Sequence, residues 1–276
     1  MKILRHVLAI FLTTLTITVY AQSSGFSSSS MQSSEPAHFA PEQIIAFAKK
    51  VEKSIADKGA RVAIVARMGR PASELPEGMH FTHVGFAVYS QITTKDGRKV
   101  PGYAMYNLYQ DDKHPDISKL VQDYPVDFFS GVVELDAGVI IPSPELQKRL
   151  LQVMTSPTYA ALHNPHYSVI ANPYKTIRQN CTEFTLDVLN AAIYQTDDIN
   201  KIKQSEKAYF VAQPVNVNPL KLLLGSMFSA EVSLVDQTGT PVTATFEKIS
   251  DFLTKYDTGS QTFMIKPDSK SVNKSL

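Results

Sequence analysis

Several stretches of the chain repeat apolar residues at helical spacing. Between Pro41 and Gly59, apolar side chains recur at intervals of three or four residues, which predicts a helix with one buried face. Proline is common at the first position of a helix, and glycine is common just beyond its end. The same reasoning predicts helices over 143–154, 180–193, 198–210, 218–224 and 249–256, with Ser143 and Asn218 as caps.

Alternating apolar and polar residues predict strands. Over 82–90 one face is wholly apolar, while the other carries His83 beside the small residues Gly85 and Ala87. Asp96-Gly97 is a turn signal, so a strand over 100–110 is expected to pair with it as a hairpin. Further strands are predicted over 61–68, 132–141, 230–236 and 241–248, with a loop over 69–80, a loop and short helix over 111–131, and irregular structure over 156–179.

These elements indicate one domain of the α+β class. Helices and strands are mixed without a regular βαβ repeat, so an antiparallel sheet packed against helices is expected. Residues 37–265 form the predicted domain, preceded by a Ser-rich linker over 22–36 and followed by a polar tail over 266–276. Apolar residues make up 43% of the chain, which is enough for a single core.

The N-terminus has the pattern of a cleaved signal peptide over residues 1–21. Lys2 and Arg5 precede an apolar run from Val7 to Val19, and Ala21 is a small residue at the expected cleavage point. The run is about 13 residues long, too short to cross a bilayer easily, although an uncleaved anchor is the alternative. We therefore expect a periplasmic or secreted protein with no integral membrane segment after cleavage.

Charge excludes some classes of partner. Without Lys2 and Arg5, the chain keeps 25 basic and 26 acidic residues, a balance that gives no support for nucleic-acid binding. No cofactor is expected. Two H-x-x-H pairs raise the alternative of a metal site, but strand geometry separates His80 from His83, and Pro165 prevents a helix from aligning His163 with His166.

Cys181 is the single cysteine of a chain that is predicted to be exported. A lone cysteine is an intermolecular bridge, an inert buried thiol or a nucleophile. Asn180 and Glu183 fit a capping box, which places Cys181 in the first turn of a helix. Unpaired N–H groups and the helix dipole at that end are expected to lower the thiol pKa and to receive an oxyanion.

A thiol nucleophile needs a base, and His83 is the candidate. A third group should orient the imidazole, and the returning strand offers Asn107 and Gln110. A tight turn at Asp96-Gly97 would place Gln110 opposite His83, whereas a slip of register at Pro101-Gly102 would bring Asn107 round. The residues alone leave both open.

Two motifs, THVGF at 82–86 and the later NCTEF at 180–184, resemble the circularly permuted branch of the papain-like superfamily, which includes the NlpC-like and lecithin-retinol acyltransferase-like proteins. In that branch the histidine strand precedes the cysteine helix. The whole chain after residue 21 also resembles an exported bacterial family, domain of unknown function 2145, most clearly over 161–174.

The resemblance implies a circularly permuted papain-like (NlpC-like) fold with Cys181, His83 and Asn107 as catalytic residues. Active members of the superfamily are thiol hydrolases or acyltransferases that work through an acyl-enzyme. For an exported protein, the implied substrates are amide or ester bonds of cell-wall peptides or lipid acyl groups. The alternative is a catalytically inactive exported binding module of the same fold.

Overall fold

The computed structural model describes residues 38–94, 96–216 and 232–268. Its centre is a sheet of six antiparallel strands in the spatial order β4-β3-β2-β1-β5-β8. The strands are β1 (Val62–Met68), β2 (His83–Thr93), β3 (Lys99–Gln110), β4 (Ser118–Asp123), β5 (Glu134–Ile141) and β8 (Gln261–Ile265), and β6 (Gln213–Pro214) pairs separately with β7 (Val242–Thr243).

Helices cover both faces of this sheet. They are α1 (Pro41–Asp57), α2 (Pro125–Phe128), α3 (Pro144–Met154), α4 (Pro157–Ala161), α5 (Cys181–Tyr194), α6 (Ile199–Tyr209) and α7 (Phe246–Tyr256). One core packs α3, α5, α6 and α7 on the face of Val84 and Phe86. A second core packs α1 and α2 on the opposite face, around Ala87 and Met105. All seven residues of β1 are buried, because this strand is central and covered on both sides.

Several predicted elements are confirmed, together with the residues that were predicted to begin or end them. Helix α1 begins at Pro41 and is followed by Gly59 with φ +68°, a left-handed conformation that glycine adopts without strain. Ser143 caps α3, since its side chain accepts a hydrogen bond from the Leu146 amide. The mixed class, with an antiparallel sheet packed against helices, is also confirmed.

Other predicted elements differ from the structure. Strand β4 lies inside the predicted loop over 111–131, and β8 was not predicted; each is an edge strand held by pairing with one neighbouring strand. The described part of 230–236 contains no strand, and 241–248 contains only the two residues of β7. Helix α7 begins at Phe246, earlier than expected, because the Thr245 hydroxyl caps it by accepting from the Lys248 amide at 3.3 Å.

Some predictions concern residues outside the described ranges. These are the signal peptide over 1–21, the linker over 22–36, the helix over 218–224 and most of the tail over 266–276. Within the described ranges, no helix is both long and apolar enough to span a bilayer.

Candidate active site

The first turn of α5 is fixed by a well-formed cap. The Asn180 side-chain oxygen accepts hydrogen bonds from the amides of Thr182 and Glu183, at 3.1 and 2.9 Å. Its side-chain nitrogen donates to the Val169 carbonyl, also at 3.1 Å. Asn180 is therefore the N-cap that the sequence predicted. The capping box is incomplete, because the Glu183 carboxylate instead accepts from Lys203 at 2.8 Å.

Cys181 occupies the first position of this helix and is buried, with 5% of its surface exposed. Its sulfur is 3.8 Å from the Thr182 hydroxyl, within hydrogen-bond range for sulfur. Burial raises the pKa of the thiol, and the opposing effects of the Val84 amide, the Thr182 groups and the Arg67 guanidinium are smaller. The expectation of a lowered thiol pKa is therefore wrong, since desolvation outweighs the helix N-terminus.

His83 begins β2 in a closely packed aromatic setting. Its ring is stacked on Tyr109, with centroids 4.7 Å apart and planes within 9°, and it lies 5.5 Å from the Phe128 ring. Burial lowers the pKa of His83 well below its ordinary value, and the nearby Arg67 guanidinium lowers it further. The imidazole is therefore neutral at physiological pH.

Asn107 is the residue that meets the His83 ring. Its side-chain oxygen lies 3.2 Å from Nε2 of His83. Gly85 pairs with Asn107 between β2 and β3. This register is shifted by one residue from the register that a tight turn at Asp96-Gly97 would give. Of the two alternatives, the tight turn at Asp96-Gly97 is wrong, because in the loop between β2 and β3 the Thr94 amide donates to the Arg98 carbonyl. The register shift arises in this loop and not at Pro101-Gly102, which pair regularly.

Gln110, the alternative partner, forms part of the wall of the cavity that His83 and Cys181 also line, described below. Its side-chain nitrogen donates to the Pro115 carbonyl at 2.7 Å. Continuing the β2–β3 register places Tyr109 opposite His83, so that Gln110 projects from the other face of the sheet. The space expected beside His83 is also occupied, since a Cβ atom at Gly85 would lie 2.2 Å from the Asn107 oxygen.

A second layer of polar groups surrounds Asn107, and sequence reasoning missed it. The Asp123 carboxylate accepts from the Asn107 side-chain nitrogen at 2.8 Å and from the Tyr109 hydroxyl at 2.9 Å. Arg67, which pairs with His83 across β1 and β2, lies 5.9 Å from the Tyr109 ring centroid. Asp123 ends β4, a strand that the sequence pattern did not reveal. The available signal was Asp123 itself, an acidic residue two positions after the short apolar segment Leu120-Val121.

A cavity of about 310 Å³ lies at this end of the sheet, and both Cys181 and His83 form part of its wall. Much of the remaining wall is apolar, and two arginines, Arg67 and Arg70, also contribute to it. The apolar part includes Leu75, Met79, Phe81, Leu108, Tyr167 and Ile170.

Cys181 and His83 reach the cavity from different layers of the molecule. Cys181 belongs to the core shared by α3, α5, α6 and α7, whereas the His83 ring packs against Phe128 of the opposite core. Among the hydrogen bonds of the described residues, none joins the Cys181 sulfur to the His83 ring. The structure thus brings His83 and Asn107 into contact and places Cys181 on the same cavity.

The histidines of the two H-x-x-H pairs have separate surroundings. His80 Nε2 lies 4.0 Å from an Asp136 oxygen, and His163 Nε2 lies 3.0 Å from the Ser118 hydroxyl. In the ranges that the structure covers, no three His, Cys, Asp or Glu side chains are grouped so as to hold a metal ion.

Comparison with known proteins gives one family. A family model described as an uncharacterised protein conserved in bacteria (DUF2145) matches residues 54–253. No curated protein and no solved structure matches the chain significantly.

Proposed function

The chain belongs to this family of uncharacterised bacterial proteins, and we propose that it is a cysteine hydrolase or acyltransferase that forms an acyl-enzyme on Cys181. One observation carries the proposal: the His83–Asn107 hydrogen bond lies beside a cavity whose wall also includes a cysteine at a helix N-terminus. A nucleophile, a base and a group that orients the base are the three parts that thiol acyl transfer requires.

The proposed reaction begins from a neutral thiol and a neutral imidazole. Because Nε2 of His83 faces the Asn107 oxygen, Nδ1 is the nitrogen that accepts the thiol proton. The sulfur forms a bond to the carbonyl carbon as that proton leaves, and the carbonyl oxygen becomes an oxyanion. Collapse then expels an amine or alcohol, which takes the proton from Nδ1. Water or a second acceptor releases the acyl group in the reverse sequence and restores the thiol.

The first turn of α5 limits where the oxyanion is stabilised. The Thr182 and Glu183 amides already donate to the Asn180 cap, so they are committed. The backbone N–H of Cys181, which the Asn180 side chain does not use, is then the proposed donor to the oxyanion. For the attack, the substrate must bring the sulfur within hydrogen-bond reach of Nδ1, about 3.5 Å.

The proposal includes a circularly permuted papain-like fold. Its support is the chain order, in which the histidine strand β2 precedes the cysteine helix α5, and the packing of α5 against the antiparallel sheet. It also includes export to the periplasm or the cell exterior, supported by the signal-peptide pattern over 1–21.

The proposed substrate is an amide or ester of a cell-wall peptide or a lipid, with an apolar acyl part. The support is the wall of the cavity, where Phe81, Leu108 and Ile170 lie beside Cys181 and His83. Apolar pockets with a few polar groups are typical of sites for small apolar ligands.

A second candidate is a catalytically inactive binding module that holds such a molecule in the same cavity. Three observations favour it: Cys181 is buried, burial raises its pKa, and its sulfur is not hydrogen-bonded to the His83 ring in the described structure. An inert buried cysteine has these same properties.

Burst kinetics distinguish the two candidates. Wild-type protein, Cys181→Ser and His83→Gln are mixed with p-nitrophenyl octanoate, and nitrophenol release and intact mass are followed. The hydrolase predicts about one acyl group per wild-type chain, no acyl group on the Cys181→Ser variant, and a rate about 100-fold lower for His83→Gln. Equal release by all three proteins would contradict the proposal. Saturable binding of octanamide without an acyl adduct would support the binding module.

A further inference from the structure

The Asp123 carboxylate holds both groups that contact the His83 ring. Asn107, which meets the ring edge, donates to one Asp123 oxygen at 2.8 Å. Tyr109, which is stacked on the ring face, donates to the other oxygen at 2.9 Å. Asp123 is itself buried, with 8% of its surface exposed. One side chain on β4 thus fixes the edge partner and the face partner of an imidazole on β2.

The direction of these hydrogen bonds follows from the chemistry of each group. An ionised carboxylate only accepts hydrogen bonds, so Asn107 must present its NH₂ group to Asp123. The Asn107 oxygen is then the atom that faces His83 Nε2, which must carry the hydrogen. A neutral imidazole has one hydrogen, so Nδ1 keeps its lone pair.

We infer that Asp123 is a positioning residue that sets the tautomer of His83 through the orientation of the Asn107 amide. It does not line the cavity itself, and its effect on the ring passes through its hydrogen bonds with Asn107 and Tyr109. The inference rests on the proposed function, since the tautomer matters for the proposed reaction. Only the Nε2–H tautomer leaves Nδ1 free to accept a thiol proton. The tautomer itself is measurable without any reaction.

The control of the His83 tautomer depends on whether the Asp123 carboxyl group is protonated, and the surroundings of Asp123 set its pKa. Burial raises the pKa of Asp123 to about 7, the Arg67 guanidinium on β1 opposes that effect, and Asp127 on α2 adds to it. Tyr109 and Asn107 on β3 both donate to the ionised form. A protonated Asp123 has a donor of its own, so it no longer dictates which end of the Asn107 amide faces His83.

Nitrogen NMR of the full chain labelled with ¹⁵N-histidine tests the inference at about pH 8.5, where Asp123 is mostly ionised. His83→Gln identifies the His83 signals. We expect only the Nε2–H form in the wild type. In Asp123→Asn, either end of the new amide pairs with Asn107, and the Nε2–H form falls to roughly half. Asp127→Asn, which removes a nearby exposed carboxylate, is the matched control and leaves the tautomer unchanged.

An unchanged tautomer in folded Asp123→Asn would overturn the inference. If that variant does not fold, the wild type still provides the test, because the Nε2–H population should fall as the pH is lowered from about 8.5 to about 6 while the ring stays neutral. A constant population over that range would equally overturn it. Failure of the proposed function is a separate result, since absence of an acyl-enzyme on Cys181 leaves the His83 tautomer measurement intact.

Discussion

At the scale of single residues, burial controls the chemistry of the candidate site. It raises the pKa of the Cys181 thiol and lowers that of the His83 imidazole, so each group is neutral around pH 7. The N-terminus of α5 favours a thiolate, but Asn180 already uses the amides of Thr182 and Glu183. The stabilisation that this helix end still gives a thiolate is smaller than the free-energy cost of removing that charge from water.

Gly85 is the residue whose small size keeps Asn107 beside His83. In Gly85→Ala, the new methyl group would lie 2.2 Å from the Asn107 oxygen, closer than a methyl carbon and a non-bonded oxygen can approach. We expect the variant to lose about 1–3 kcal/mol of unfolding free energy, because the strand or Asn107 must move. Urea denaturation measures this loss.

Gly102→Ala on β3 is the matched control. A Cβ atom there meets only the end of the Ile92 side chain, at 2.9 Å, and that end can rotate away. Its loss should be below about 1 kcal/mol. If the two alanine variants are equally stable, the packing argument for Gly85 is wrong.

At the scale of elements, a buried group of charges joins α5 to α6. Lys203 on α6 lies 2.8 Å from Glu183, 2.6 Å from Asp187 and 3.1 Å from Glu206. All three carboxylates are nearly inaccessible to solvent, and Gln179 also donates to Asp187 at 2.7 Å. This cluster fixes the orientation of the helix that begins at Cys181.

Removing the lysine should therefore unfold or strongly weaken the domain. Lys203→Met leaves three buried carboxyl groups without their cation, and we expect a loss of about 3–5 kcal/mol in unfolding free energy. The control is Lys201→Met on the same helix, since Lys201 is exposed and lies 4.0 Å from Asp198. Its loss should be below about 1 kcal/mol. Similar urea midpoints for both variants would contradict the role of the cluster.

At the scale of the whole molecule, the sheet separates two cores, and the candidate site lies where both reach one end of it. The same division places buried carboxyl groups on both sides: Asp123 near the core of α1 and α2, and Glu183 and Glu206 in the core of α5 and α6. Burial raises the pKa of all three.

These carboxyl groups predict how stability depends on pH. A carboxyl group with a raised pKa in the folded state stabilises the fold fully below its unfolded pKa, and that contribution is lost as pH rises through the folded pKa. His83 and His163 have lowered pKa values and act in the opposite sense, but only below their unfolded value of 6.5. The unfolding free energy should therefore fall as pH rises above about 6.5, through the folded pKa of about 7 for Asp123 and through the raised pKa values of Glu183 and Glu206.

Urea denaturation at each pH measures this fall, and Glu206→Gln should make it shallower because the new side chain does not titrate. Asp251→Asn is the control, since the Asp251 side chain is 72% exposed and its removal should leave the slope unchanged. A wild-type slope that matches that of Glu206→Gln would show that Glu206 is not the source of the effect.

The sequence by itself determined the features that depend on neighbours along the chain. It predicted α1, α3, α5 and α6, the strands β1, β2, β3 and β5, and the Asn180 cap that places Cys181 in a first helical turn. It also identified the family. Periodicity and capping are local properties, so residues a few positions apart carry the signal.

Only the tertiary structure decided the features that depend on distant residues. The choice of Asn107 over Gln110 follows from the register of β2 and β3, in which Thr93 pairs with Lys99, and β4 and β8 are held by pairing with other strands. Asp123 on β4 is joined to His83 on β2 through the side chain of Asn107 on β3. The neutral state of Cys181 and His83 follows from burial, which depends on how the two cores cover the sheet and is therefore not encoded in any short stretch of sequence.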